Sequence, residues 1–163
     1  MDTKKDSIQL VEHQLALLLR RVESTRKQST QLDRSSYLLL DALATHGPLS
    51  ISALAQLFQL DISTLSRQTA PLESSGWVER LPDQEDGRVK ILQLTPSGQT
   101  QLQHSRDIRY NIYAQLLQDW TEDDRRTFGL LLNRFNQAIR EHPNLSSTIP
   151  IPDPETPTEQ LTT

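Results

Sequence analysis

No cysteine occurs among the 163 residues, so disulfides, thiolate-held metals and peroxide sensing through a thiol are excluded together. The five glycines are isolated and none belongs to a phosphate-cradling run; no serine sits in a nucleophile elbow. His13, His46, His104 and His142 are scattered rather than held at ligand spacing. These gaps predict a protein that is not an enzyme and that holds no metal or cofactor. Long apolar runs are also missing. The opening "MDTKKDSIQLVEHQLALLLR" is interrupted by Glu12, His13 and Gln14 and ends on arginine, which fits neither a signal peptide nor a membrane span of roughly 20 residues. A soluble, cytoplasmic protein with no membrane partner is expected.

What remains is enough for one ordinary domain: 35% of the residues are hydrophobic. The formal net charge of -4 would by itself discourage a nucleic-acid reading. Three of the 21 acids, Asp153, Glu155 and Glu159, fall beyond Pro143, where there is no base, so the rest of the chain is close to neutral. The distribution of charge has to decide, not the total.

The pattern along the chain is mostly helical. Ile8, Val11, Leu15, Leu18, Leu19 and Val22 recur at helical spacing from about Ser7 to Arg26. Asp33 caps a second helix with Tyr37, Leu38, Leu40, Leu43 and Ala44 as its apolar side, closed by "HGP". "PLS" is extended, with room for a single ladder contact. Ser50 then caps the short "ISALAQLFQL", whose apolar positions are Ile51, Leu54, Ala55 and Phe58, and Asp61 caps the next element within a few residues. Two short helices joined this tightly suggest a helix-turn-helix. The period changes after "SSGW": "VERLP" and "VKILQL" flank "DQEDG" as a hairpin. Thr95-Pro96 opens a long helix to about Asp119, and Thr121 with Asp124 approaches a capping box for a last helix through Phe128, Leu131, Leu132, Phe135 and Ile139. The tail 143–163 holds five of the nine prolines and has no period, which predicts a disordered or extended segment.

The stretch "DISTLSRQTAPLESSGW" at 61–77 is poor in large apolar residues. On a helical wheel Ile62, Leu65, Thr69 and Leu72 share one face and should hold the helix to the body. Ser63, Arg67, Ala70 and Ser74 lie opposite, with Thr64 and Gln68 on the flank. Small hydroxyls permit close approach to a duplex, while Arg and Gln can make bidentate contacts to guanine or adenine edges. A solvated helix face is the plain alternative. The preceding short helix, the capped turn and the following hairpin together favour a winged helix that binds DNA. Arg88, just past the turn, could enter the minor groove, and Lys90 could reach phosphate. A solvated hairpin with local Asp86–Arg88 pairing is the alternative there.

Several strings in this region agree with one family: Ser66-Arg67, Leu72-Glu73-x-x-Gly76, Glu79-Arg80, Asp86-x-Arg88 and Leu92-x-Leu94-Thr95-Pro96-x-Gly98. Over roughly residues 7–141 the chain resembles MarR-type transcription regulators. The resemblance implies a mainly α (α+β) fold: a winged helix-turn-helix with a two-stranded wing hairpin and N- and C-terminal dimerisation helices. It implies an N-terminal dimerisation helix in 1–32, a DNA-binding region in 33–98, dimerisation helices in 99–142 and a proline-rich tail in 143–163. Carried over residue by residue, recognition-helix contacts fall on Ser63, Thr64, Arg67 and Gln68, the minor-groove arginine on Arg88, and the wing-bracing aspartate on Asp86. Gly87, in place of a frequent basic residue, weakens the wing electrostatically. Pro71 stands where a polar or basic residue is more usual. It removes a hydrogen bond to the Arg67 carbonyl and predicts a kink after the groove-facing turns.

A single recognition helix reads too few bases for useful selectivity, so a homodimer on a pseudo-palindromic double-stranded operator is expected. Leu15, Leu18 and Leu19 at one end, and Phe128, Leu131, Leu132 and Phe135 at the other, could serve the dimer or simply the core. The resemblance further implies a ligand-responsive repressor, released from DNA by a small aromatic or phenolic effector. Tyr37, Trp77, Tyr110, Tyr113 and Trp120 could line its pocket or be ordinary packing. Two rival readings stay open: a winged-helix module that docks a protein partner without effector response, and an unrecognised hydrolase.

Overall fold

The computed structural model describes residues 3–25, 32–83 and 89–142. The wing tip 84–88 and the tail 143–163, on which the readings of Asp86, Gly87, Arg88 and the proline-rich end depend, lie outside the described residues. In chain order the elements are α1 (Thr3–Thr25), α2 (Arg34–His46), β1 (Leu49–Ser50), α3 (Ile51–Phe58), α4 (Ile62–Ser74), β2 (Val78–Pro82), β3 (Lys90–Leu94), α5 (Pro96–Leu116) and α6 (Glu122–Glu141). No described helix is long and apolar enough to cross a membrane. The chain divides into two compact units, one holding α1 and α6, the other the elements from α2 to α5.

In the second unit the sequence signals for helix starts act as expected. The Asp33 carboxylate accepts from the Ser36 amide, the Ser50 hydroxyl from the Ala53 amide and the Thr95 hydroxyl from the Gly98 amide. Each cap satisfies an N–H that the first helical turn leaves without an intrahelical partner. The three strands form an antiparallel sheet in the order β1-β3-β2. Leu49 pairs with Leu92 and Ser50 with Ile91, so the short "PLS" segment adds a third strand to the hairpin. In the hairpin itself Val78 pairs with Leu94 and Pro82 with Lys90.

The core of this unit gathers Leu39, Leu40 and Leu43 of α2, Leu54 of α3, Leu65 and Leu72 of α4, Val78 and Leu92 of the sheet, and Leu102 of α5. Each such leucine contributes about 1.5–3 kcal/mol by leaving water. The expected apolar side of α2 needs correction. Leu39 and Ala42 are buried whereas Leu38 and Ala44 are exposed, because Leu38 and Leu40, two residues apart, cannot share one helical face. Two arginines one turn apart on α5 fasten α2 from the side. Arg106 donates to Asp41 at 2.8 Å, and Arg109 donates to the Leu32 carbonyl at 3.1 Å while stacking on the Tyr37 ring at 4.2 Å.

The turn from α4 into the sheet is set by Gly76, whose φ of 69° suits a residue without Cβ. The Trp77 amide reaches back to the Leu72 carbonyl at 3.0 Å and the Gly76 amide to Glu73 at 2.9 Å, the paired bonds of a Schellman ending. Thr95 closes the other side. Its hydroxyl donates to the Gly76 carbonyl at 2.7 Å, and its amide donates to the Trp77 carbonyl at 3.0 Å. One turn on, buried Gly98 presses so closely on this joint that a Cβ there would lie 1.9 Å from the Trp77 oxygen. The Thr95-Pro96-x-Gly98 string thus records a cap and a backbone contact that no side chain fits.

In the first unit Thr121 caps α6: its hydroxyl accepts from the Asp124 amide at 3.1 Å and donates to the Asp124 carboxylate at 2.6 Å. Trp120 and Phe128 meet edge to face at 5.4 Å. No residue of α6 is buried, and Leu130 and Leu131 are 62% and 56% exposed. Ile8, Leu10, Val11 and Leu18 of α1 are likewise exposed. The described part of this unit thus shows an unusual amount of apolar side chain to water.

Gly98→Ala is expected to destabilise the protein by about 2–3 kcal/mol, since the added methyl must displace backbone rather than a flexible side chain. Chemical denaturation of the two proteins checks this, and unchanged stability would show that the joint yields.

Candidate nucleic-acid interface

The helix-turn-helix is formed by α3 and α4. Its turn is tight because Gln59, closing α3, adopts the left-handed conformation with φ 55°. Asp61 follows in extended conformation and caps α4. The buried stripe of α4 consists of Leu65, Thr69 and Leu72, as the wheel predicts. Ile62 does not join it. It is 58% exposed, since the first residue of α4 stands beyond the end of the core. Thr69 needs no partner across the core: its hydroxyl returns to the Ser66 carbonyl at 3.1 Å.

The opposite face carries the expected set. Ser63, Arg67, Ala70 and Ser74 are exposed, with Thr64 and Gln68 half-buried beside them. The Asp61 carboxylate organises its first turn. One oxygen accepts from the Thr64 amide at 2.7 Å and from the Ser63 hydroxyl, the other from the Thr64 hydroxyl at 2.7 Å. The Arg67 guanidinium in turn donates to the Thr64 oxygen at 3.2 Å. The Ser63 hydroxyl, then the Thr64 amide and hydroxyl, hold the Asp61 carboxyl far below its ordinary 3.8, so it is a carboxylate at any physiological pH. Sequence reasoning foresaw the cap and missed the two hydroxyl bonds, although the Asp-x-Ser-Thr spacing carries them.

The helix continues unbroken through Pro71 to Ser74. Its last turn is tied to the wing by an ion pair between two of the family-like strings, Glu73 of Leu72-Glu73-x-x-Gly76 and Arg80 of Glu79-Arg80. Arg80 of β2 grips Glu73 with Nε at 3.2 Å and its terminal nitrogen at 2.5 Å. Fork geometry makes this stronger than a single-point pair, though partial exposure keeps it modest. Lys90 is exposed at the start of β3, opposite Pro82. Arg88 and Asp86 lie outside the described residues. The aromatic side chains are dispersed: Tyr37 lies under Arg109, Trp77 packs on the core, and Tyr110 and Tyr113 are exposed on α5.

A double-mutant cycle on Glu73→Gln and Arg80→Gln is expected to give a coupling of about 1 kcal/mol in low salt that shrinks as salt is added. Zero coupling at every salt concentration would show that the pair does not hold helix and wing together.

Comparison with known proteins places these features. A profile of the MarR family matches residues 32–90, which span α2 to the base of the wing. The HTH-type transcriptional regulator YxaD of Bacillus subtilis is 39% identical over 138 residues, covering 83% of this chain and 96% of that one. A MarR variant from Escherichia coli, solved in complex with operator DNA, superposes with a TM-score of 0.61 at 20% identity, over 83% of this chain and 97% of its own. The PcaV transcriptional regulator of Streptomyces coelicolor, solved in complex with its natural ligand, gives 0.62 at 20% identity over 85% and 96%. The last two share the fold. Taken with the capped recognition helix and the hairpin joined to it, these likenesses establish that the chain belongs to the MarR family of winged-helix, DNA-binding transcription regulators, not to a family of enzymes.

Proposed function

We propose that the protein is a homodimeric repressor that binds a pseudo-palindromic operator, with α4 in the major groove and the wing in the minor groove of each half-site. The observation that carries this reading is the division of α4 into a buried stripe of Leu65, Thr69 and Leu72 and an exposed face of small residues around Arg67. Ser63, Thr64, Arg67 and Gln68 are the major-groove contacts. Arg67 and Gln68 suit bidentate readout, and the small hydroxyls let the helix approach. Lys90 neutralises phosphate, and Arg88 enters the minor groove with Asp86 bracing it.

The exposed apolar residues of α1 and α6 support dimerisation through the segments 1–32 and 99–142. A two-fold axis between subunits sets the two recognition helices about 34 Å or one helical turn of DNA apart. Release by a small aromatic or phenolic effector follows the family resemblance, and PcaV, which shares the fold, was solved with its natural ligand. A cytoplasmic location accords with this role.

Affinity for the protein's own upstream DNA should fall steeply with added salt, because each phosphate neutralised releases condensed counterions. Arg67→Ala should cost about 1–3 kcal/mol on the operator and relax one position of its sequence. Equal loss on operator and random DNA would reduce Arg67 to a phosphate contact, and salt-insensitive binding would favour a protein-docking module. Sedimentation should find a dimer at micromolar concentration, and Leu131→Glu on the exposed face of α6 should shift it toward monomer while the winged unit stays folded. A monomeric wild-type protein would contradict the two-fold arrangement.

A further inference from the structure

Hydrogen-bond direction at the tip of α4 carries more than the list of contact residues. An ionised carboxylate can only accept, so both hydroxyls facing Asp61 must give it their protons. The Thr64 oxygen also takes a proton from Arg67. With its protons turned inward, the tip presents hydroxyl oxygens as acceptors beside a fixed negative charge.

We propose that Asp61 is a positioning residue for sequence readout: by claiming the protons of Ser63 and Thr64, it sets the helix tip to read an exocyclic amino group in the major groove. The reading rests on the operator-binding role proposed above and gives it a chemical preference. Adenine N6 and cytosine N4 are the donors a base pair offers in that groove, whereas guanine O6 and thymine O4 are acceptors that the same surface rejects. Asp61 thus makes one pair of each half-site directional, with the amino base on the strand facing the tip. Its charge also repels phosphate, which holds down binding to unrelated DNA. Arg67, a donor fixed from the same network, is left to the acceptor-rich edges further along the helix.

The test is selection from a randomised duplex library with the full-length protein, followed by affinity measurements on the selected site. Wild-type protein should select adenine or cytosine at one position per half-site. Replacing that base by purine or 2-pyrimidinone, which lack the amino group, should weaken binding about tenfold. Asp61→Asn keeps an oxygen to cap α4 but supplies donors in place of the charge. It should lose the preference at that position, tolerate the analogue within about threefold and bind random DNA more tightly. Thr64→Val and Ser63→Ala identify which hydroxyl reads the base, and one of them should reproduce the loss of preference with α4 still helical by circular dichroism. If Asp61→Asn selects the same base with the same analogue penalty, or if wild-type protein ignores the analogue, the assignment is overturned. Arg67→Ala separates the two levels: loss of selectivity there with none in Asp61→Asn leaves operator binding standing and removes only the role of Asp61. A wild-type protein that selects no sequence removes both.

Discussion

The winged unit depends on one close approach of backbone to backbone. Where the first turn of α5 meets the Trp77 carbonyl there is room for hydrogen and not for carbon, and Thr95 bonds across the same gap to Gly76 and Trp77. Four segments converge at this point: the end of the recognition helix, the start of β2, the end of β3 and the start of α5. Fixing them together aligns Val78 and Leu92 in the sheet with Leu72 in α4 and Leu102 in α5, so that the leucine core closes around a defined register. The orientation of α4 is thus inherited from a joint at its C-terminal end, away from the capped first turn with Ser63 and Thr64.

That arrangement lets α4 devote little of itself to stability. Three buried residues, Leu65, Thr69 and Leu72, hold thirteen residues of helix, and the Asp61 cap and Schellman ending secure its two termini. The rest of its surface carries mostly small and polar side chains. The presence of Pro71 follows the same logic. It sits on the exposed side near the C-terminal end, where a lost rung of the backbone ladder is borne by neighbouring turns that remain bonded.

Much of this was legible in the chain because the informative signals are local. Asp33, Ser50, Asp61, Thr95 and Thr121 all cap the helices their side chains announce, since a cap needs only a short polar side chain next to a helical run. The wing followed from strand-like runs on either side of a turn. Errors arose where local pattern could not decide the depth of burial. "YLLL" offers consecutive leucines, and only packing against α5 and the sheet selects Leu39 and Leu40 over Leu38. Ile62 falls on the right side of the wheel but at the wrong height, past the edge of the core. The Glu73–Arg80 pair spans seven residues and a reversal of chain direction, so no helical or strand period could reveal it. The exposed face of α4 was legible for the opposite reason. A helix that must pack but lacks apolar bulk on most of its surface advertises the side it keeps for something else.

The same Glu73–Arg80 fork has a mechanical consequence. It connects the helix that would lie in one groove with the strand that leads to the other, and it is worth only about 1 kcal/mol. A joint that weak slips well before the leucine core around it does. In dilute electrolyte the fork stiffens the link between α4 and β2; as ions accumulate that contribution fades, and the backbone joint and leucine core alone keep the two aligned.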